Sequence, residues 1–364
     1  MPLETPTALL SARFVNQRLL APHTADPAAL VHWLMAVQSQ DYTGAVWAIG
    51  VRAPDLVAAD VHQAFDDGRI LRTHVLRPTW HFVSPADIRW LLTLTAPRVH
   101  AVGAPYLRKA ELTPPVLNRC LRLVERALTG GAFLTRAELG AVLQRAGIAA
   151  PPGRLSLIAM HAELEQVICS GPRRGKQFTY ALLEERVAPA PARTRDEALA
   201  ELTTRYAASH GPATLHDLAW WSGLPLRDVK AGVALAGPAL AQATVNGLTY
   251  WFAAGQAPGP ARASGTWLLP NYDEALIAYK DRGLSVVPSP GTAGRGNPIF
   301  AHQVVLDGRV VGSWSRTVST TRVVVDVAMY DGAPTPAIVK RLTRATTTMA
   351  RFLDCPVSLT TARR

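Results

Sequence analysis

The sequence predicts an α+β fold: three tandem winged-helix units, then a small C-terminal β-barrel with one covering helix. Two observations carry this. A helix–helix–helix–hairpin order recurs along the first two-thirds of the chain, and beyond residue 265 the apolar period changes from helical to alternating. Two proline-rich stretches, "VAPAPARTR" (187–195) and "AAGQAPGPARASG" (253–265), read as linkers. The expected units are 1–108, 109–190, 191–256 and 257–364.

The first unit opens with the helix-like run "AALVHWLMAV" (28–37). It closes with "LVAADVHQAFDDGRILRTHV" (56–75), a turn at Arg77-Pro78 and the strand "TWHFVS" (79–84). The second carries "LTRAELGAVLQRAGI" (134–148), spaced as two short helices around a turn. A helix candidate, "RLSLIAMHAELEQVICS" (154–170), a basic turn and the strand "QFTYALL" (177–183) follow. The third repeats this shape with "ATLHDLAWWSGLPL" (213–226), "LRDVKAGVALAGPALAQATV" (226–245), a turn at Asn246-Gly247 and "LTYWFA" (248–253). In the last piece "VVLDGRVVGSW" is a hairpin with Asp307-Gly308 at its turn. "TPAIVKRLTRATTTMARFL" (335–353) is the covering helix, and "PVSLTT" (356–361) a final strand.

Composition narrows the class. Of 364 residues 48% are hydrophobic, which excludes a disordered chain. No apolar run reaches the ~20 residues that a bilayer demands, and the N-terminus lacks a basic region before its short apolar run. Neither a membrane partner nor a signal peptide is expected. Cys120, Cys169 and Cys355 are too few and too far apart for a disulfide framework; they fit buried positions in a reducing cytoplasm. The net charge of +11 favours a polyanionic partner, most simply nucleic acid.

Metal, phosphate-loop and triad chemistry find no support in the motifs. The ten histidines form no HExxH and none pairs with cysteine at ligand spacing, so no metal and no cofactor are expected. His74 and His81 flank a hairpin turn, which is a weak metal signal. "GTAGRG" (291–296) lacks the Lys-Ser/Thr of a phosphate loop and reads as a loop displaying Arg295. Asp273 and Glu274 are adjacent, a poor acid/base pair on a strand, and suit the start of a helix better. The basic hairpins are more informative. Arg72, His74, Arg77 and His81 lie on or beside one ribbon, and Arg173, Arg174 and Lys176 tip another. With Arg295 and Arg316 they form the set expected to meet DNA.

One stretch stands apart. "AVQSQDY" (36–42) sets Gln38 and Gln40 where a helix gives out. On extended backbone, residues two apart share a face. Two amides then offer two carbonyl oxygens and four N–H donors to one spot, suited to holding a water or to stabilising developing charge. Asp41 adds a carboxylate. The residues alone leave a second reading open, polar side chains capping a helix end.

"LMAVQSQDYTGAVWAIGVR", then "RILRTHVLRPTWHFVSPADIRWLL", then "LLPNYDEALIAYKDR" and "VVLDGRVVGSW", resembles the winged-helix DNA glycosylases of the AlkZ/YcaQ-like family over nearly the whole chain. The QxQ form is similar to the self-resistance branch that unhooks alkylated guanines. The resemblance implies a DNA channel framed by the winged helices and barrel, with Gln38 and Gln40 as the catalytic pair. It implies hydrolysis of the N-glycosidic bond of N7-alkylguanine, leaving an abasic site, by a cytoplasmic monomer acting on double-stranded DNA with alkylated or crosslinked guanine. No lyase step is expected, because lysine is scarce and absent from the sequence around the QxQ; Pro2, exposed by loss of Met1, is the one rival amine. The alternative is a non-catalytic winged-helix DNA-binding protein or transcription regulator, which the QxQ disfavours.

Overall fold

The computed structural model describes residues 3–20, 25–256, 259–288, 297–319 and 321–361. After α1 (Pro6–Asn16), the chain runs α2 (Pro27–Leu34), β1 (Ala36–Gln38), α3 (Tyr42–Gly50), α4 (Ala58–Asp66), β2 (Leu71–His74) and β3 (Trp80–Val83). The long helix α5 (Pro85–Lys109) leads to α6 (Pro114–Leu128), β4 (Leu134–Thr135), α7 (Arg136–Arg145), α8 (Pro152–Leu164), β5 (Ile168–Ser170) and β6 (Thr179–Leu182). Past the short α9 (Leu183–Arg186) come α10 (Arg195–Ser209), α11 (Leu215–Ser222), α12 (Leu226–Ala236), β7 (Leu240–Val245) and β8 (Leu248–Ala253).

The same topology thus occurs three times. A helix leads to a short strand, two helices and a hairpin, and the short strand pairs with the hairpin's last strand: β1-β3-β2, then β4-β6-β5. In the third copy the short strand shrinks to an Ala213–Trp251 bridge beside the β7–β8 pair. Capping boxes start α7, α10 and α11, where Thr135, Thr194 and Thr214 accept from the backbone of Glu138, Glu197 and Asp217. The segment 134–148 differs from expectation. Its threonine cap follows a two-residue strand, and one helix, not two, runs from Arg136. The candidate over 154–170 likewise stops at Leu164, and Ile168–Ser170 joins the sheet.

The C-terminal piece holds β9 (Thr266–Leu269), α13 (Glu274–Ile277), β10 (Gln303–Leu306), β11 (Arg309–Val318), β12 (Val323–Met329), α14 (Pro336–Leu353) and β13 (Val357–Thr361). Asp307 and Gly308, with φ of 51° and 82°, make the predicted hairpin turn. The barrel is not closed. The strands form an open sheet in the order β13-β12-β11-β10-β9, with β9 and β13 as edges. The reason is the covering helix. Leu342, Thr346, Met349 and Phe352 form its buried stripe, and α14 contacts both edge strands, filling the space across which they would pair. The α14 crossover also sets β13 parallel to β12. Gly50 on α3 lies so close to the Phe352 ring that a Cβ there would overlap it.

One apolar cluster ties these parts together, joining Met35 and Leu71 of the first copy, Tyr206 and Trp221 of the third, and Tyr279 after α13. Cys120 and Cys169 are buried, whereas Cys355 is only half-buried. Among the described residues no helix is long and apolar enough to cross a membrane.

Candidate active site

The end of α2 builds the site. Asp26 caps it and Pro27 starts it; Met35, at φ 60°, turns the chain out of the helix. β1 then pairs with β3, with Gln38 opposite His81, and Ser39 N–H adds one more bond to the Trp80 carbonyl at 2.7 Å. Gln38 is therefore the last residue of β1, and Gln40 lies just beyond it in the bend before α3. Neither caps α2. Asp41 does cap a helix: it is the N-cap of α3, accepting from Gly44 N–H at 3.1 Å and Thr43 Oγ1 at 2.8 Å. The two glutamines differ in depth, since Gln38 is 6% exposed and Gln40 is open to solvent.

Gln38 is held at both ends. Its backbone N–H donates to Glu274 Oε1 at 2.9 Å, and its side-chain Oε1 accepts from Arg77 Nη2 at 2.8 Å. A guanidinium only donates, so the Gln38 carbonyl faces Arg77 and its NH₂ is left to donate elsewhere. Glu274 is 1% exposed; its Oε2 accepts from Trp221 Nε1 at 2.9 Å and lies 3.5 Å from His210 Nε2. Burial pulls the His210 and Arg77 pKa values down, and Glu274 opposes the fall in both. The neighbouring Asp273 caps α13 and takes two 2.8 Å bonds from the buried Arg52, which anchors this turn. Gln40 Oε1 accepts from Trp80 N–H at 3.4 Å, a long bond that leaves the amide available.

Beyond Trp80 opens a cavity of about 420 Å³, lined among others by Arg72, Arg136, Glu163, Lys176 and Phe178. Arg72 crosses behind the motif. It donates to the Ser39 carbonyl at 2.9 and 3.2 Å and stacks on Trp80 and Phe178. It is 9% exposed, and burial pushes its pKa down to about 10.

The residues expected on the DNA face separate by depth. Arg72, His74 and His81 are buried, and Arg77 is partly so. His74 Nδ1 pairs with Glu163 and its ring packs on Trp80. His81 Nδ1 meets the Thr79 carbonyl at 2.9 Å, and burial drives its pKa well below the ordinary imidazole value. His74 and His81 do not converge as ligands, because His74 is opposite Trp80 and His81 opposite Thr73. On the second hairpin Arg174 and Lys176 are exposed; Arg173 is bound to Asp66 at 3.1 Å and Arg174 to Glu138 at 2.7 Å. Arg316 is half-buried within electrostatic reach of Asp41. Arg295 and Pro2 lie outside the described residues.

Comparison with known proteins decides the family. A family model described as "DNA glycosylase AlkZ-like" matches residues 31–352, the segment that carries Gln38, Arg77 and Glu274. The chain belongs to the AlkZ-like DNA glycosylase family. It is 25% identical over 330 residues to the interstrand DNA cross-link repair glycosylase of Streptomyces sahachiroi, covering 82% of this chain and 85% of that protein. The solved structure of the Streptomyces sahachiroi DNA glycosylase AlkZ matches the fold with a TM-score of 0.78 at 21% identity, over all of both chains.

Within this family member, two site groups escaped the sequence reading. Glu274 does start α13, as the sequence suggests, but its hold on Gln38 was hidden because that partner is 236 residues away. Asn271, just before it, has a buried side-chain oxygen with no hydrogen-bond partner, and a Cβ on Gly44 would come within 2.9 Å of that oxygen. The absence of a side chain at Gly44 is thus what admits Asn271 beside Asp41. Only the clustering of polar residues in "PNYDE" hinted at either.

Proposed function

We propose that this glycosylase hydrolyses the N-glycosidic bond of N7-alkylguanine, unhooks interstrand crosslinks, and uses Gln38 and Gln40 as its catalytic pair. The observation that supports this most is the double anchoring of Gln38 beside a solvent-open Gln40. A side chain fixed by its backbone N–H and by its carbonyl oxygen is preorganised, so its free NH₂ can hold a water in place without reorganising during the reaction. An N7-alkylguanine already carries positive charge and leaves as a neutral base, so no acid is required. Water attacks C1′ as the C1′–N9 bond breaks, and the water proton passes to Asp41 or solvent. The Gln38 NH₂ and the Gln40 amide position that water. Glu274 offsets the positive Arg77, which would otherwise oppose an oxocarbenium-like sugar.

In this reading the three repeats act as winged helices framing a DNA channel, with the chain a monomer. Lys176, Arg173, Arg174, Arg295 and Arg316 meet phosphate, while Arg72, Arg77, His74 and His81 shape the site from behind. Crosslink unhooking rests on the relative's description and on the openness of the site around Gln40; a base tied to the opposite strand cannot swing into a closed pocket.

Single-turnover release of N7-methylguanine tests the assignment. Gln38→Ala and Gln40→Ala each slow excision about 10²–10³-fold while leaving DNA affinity intact. Asp41→Asn retains the helix cap and isolates the carboxylate's contribution. Wild-type excision rates in both glutamine variants would remove the pair from catalysis. Binding of the lesion DNA without base release by the wild type would favour the non-catalytic reading. Borohydride traps no adduct, although Lys176 lines the cavity beside Trp80; a trapped adduct lost in Lys176→Ala would make the enzyme bifunctional.

A further inference from the structure

The strongest feature outside the site lies between the first two repeats, where α8 packs on α5. His100 from α5 meets His161 and Glu165 at the end of α8, and one ligand atom from each lies within 4.8 Å of the other two. His100 Nε2 is 2.9 Å from Glu165 Oε1, and the two imidazoles meet edge to face with centroids 5.2 Å apart. His161 Nδ1 is buried with no hydrogen-bond partner. Among the described residues this is the one group of three or more such side chains that converges in this way.

We propose that His100, His161 and Glu165 form a binding site for a divalent transition-metal ion, best suited to Zn²⁺. The donor set is two imidazoles and one carboxylate, with water as a fourth ligand. Donors bonded to one Zn²⁺ at about 2.0–2.1 Å stand roughly 3.4 Å apart, so the trio closes by small side-chain rotations. The residues are on suitable elements. His161 and Glu165 are four apart and share a helix face, while His100 comes from the facing helix. No motif spacing reveals the site, because 61 residues separate the two histidines.

A bound ion would fasten the second repeat to the first. Glu163, between the two α8 ligands in sequence, points the other way and holds His74 in the first hairpin. Gln166 adds a bond to Thr93 on α5 at 3.0 Å. The metal would thus lock α8 on one flank while Glu163 holds it on the other, fixing a wall of the cavity beyond Trp80.

Zn²⁺ titration by calorimetry on the full chain, with a Co²⁺ titration followed by visible absorption, tests it. A Cys355→Ser background removes the one cysteine that is not buried. One equivalent of Zn²⁺ binds, Co²⁺ gives the intense d–d bands of a four- or five-coordinate site, and Zn²⁺ raises the melting temperature. His100→Ala and His161→Gln each weaken binding about tenfold or more, since even an outer-shell partner is worth about that. His216→Ala, an exposed histidine elsewhere, changes nothing. His100 is partly exposed, so its variant keeps the fold if His161→Gln does not. No saturable binding, or equal binding in the His100→Ala protein, overturns the site.

Discussion

Glu274→Gln is the sharpest test of how the site is held. The carboxylate faces two donors, Gln38 N–H and Trp221 Nε1–H, each at 2.9 Å. Glutamine keeps the shape but has one acceptor oxygen. Whichever way its amide turns, one of those donors meets an NH₂ group. If the NH₂ turns toward His210 Nε2 it finds an acceptor, but Trp221 then loses its own. Leaving a buried donor unsatisfied costs about 1–3 kcal/mol. Loss of the charge that opposes the desolvation of Arg77 pushes the cost toward the upper end. Urea unfolding at pH 7.5 should lose that stability with an unchanged slope. The part of the strain that reaches Gln38 appears in single-turnover excision, at tenfold for about 1.4 kcal/mol. Glu274→Ala leaves both donors bare and opens a cavity, so it must be worse. A Glu274→Gln protein within about 0.5 kcal/mol of wild type, at full activity, would refute the anchoring.

Gly223→Ala should destabilise by more than about 2 kcal/mol, because a side chain at φ 71° is strained and its Cβ would overlap the Leu76 carbonyl beside Arg77. An unchanged thermal melt would contradict that contact. Burial lowers the folded-state pKa of His81 and of His210, so the unfolded chain binds the extra protons. Stability is therefore complete above the unfolded value of about 6.5 and falls as pH drops below it, by up to about 1.4 kcal/mol per pH unit for each histidine until its folded pKa is reached. Urea midpoints at pH 7.5, 6.5 and 5.5 check this, and a flat profile would show those rings to be charged or free in the native protein. DNA affinity should fall with salt at a log–log slope of about −0.9 per phosphate contacted. A flat titration would remove the basic hairpins from binding.

What the sequence determined by itself is what short windows encode. The turns at Asn246-Gly247 and Asp307-Gly308 were legible because their positive φ values select those residues. The recurring helix–hairpin order was legible because apolar period and punctuation recur together. That the helix of "AALVHWLMAV" gives out before Gln38 was legible from the polar run that follows it. Tertiary structure decided the rest. The open sheet came from α14 occupying the space between its edges, a volume effect that no strand pattern records. Arg72 and His74 looked like part of a basic surface ribbon, but the second repeat and the motif's own backbone hold them inside, and His81 is buried on the central strand opposite Gln38. Glu274 meets Gln38 across 236 residues, and His100 meets His161 across two helices. Such pairings arise when apolar faces far apart in sequence pack together and bring polar groups to the same place. Local propensity acts over a few residues, whereas packing acts over the whole chain.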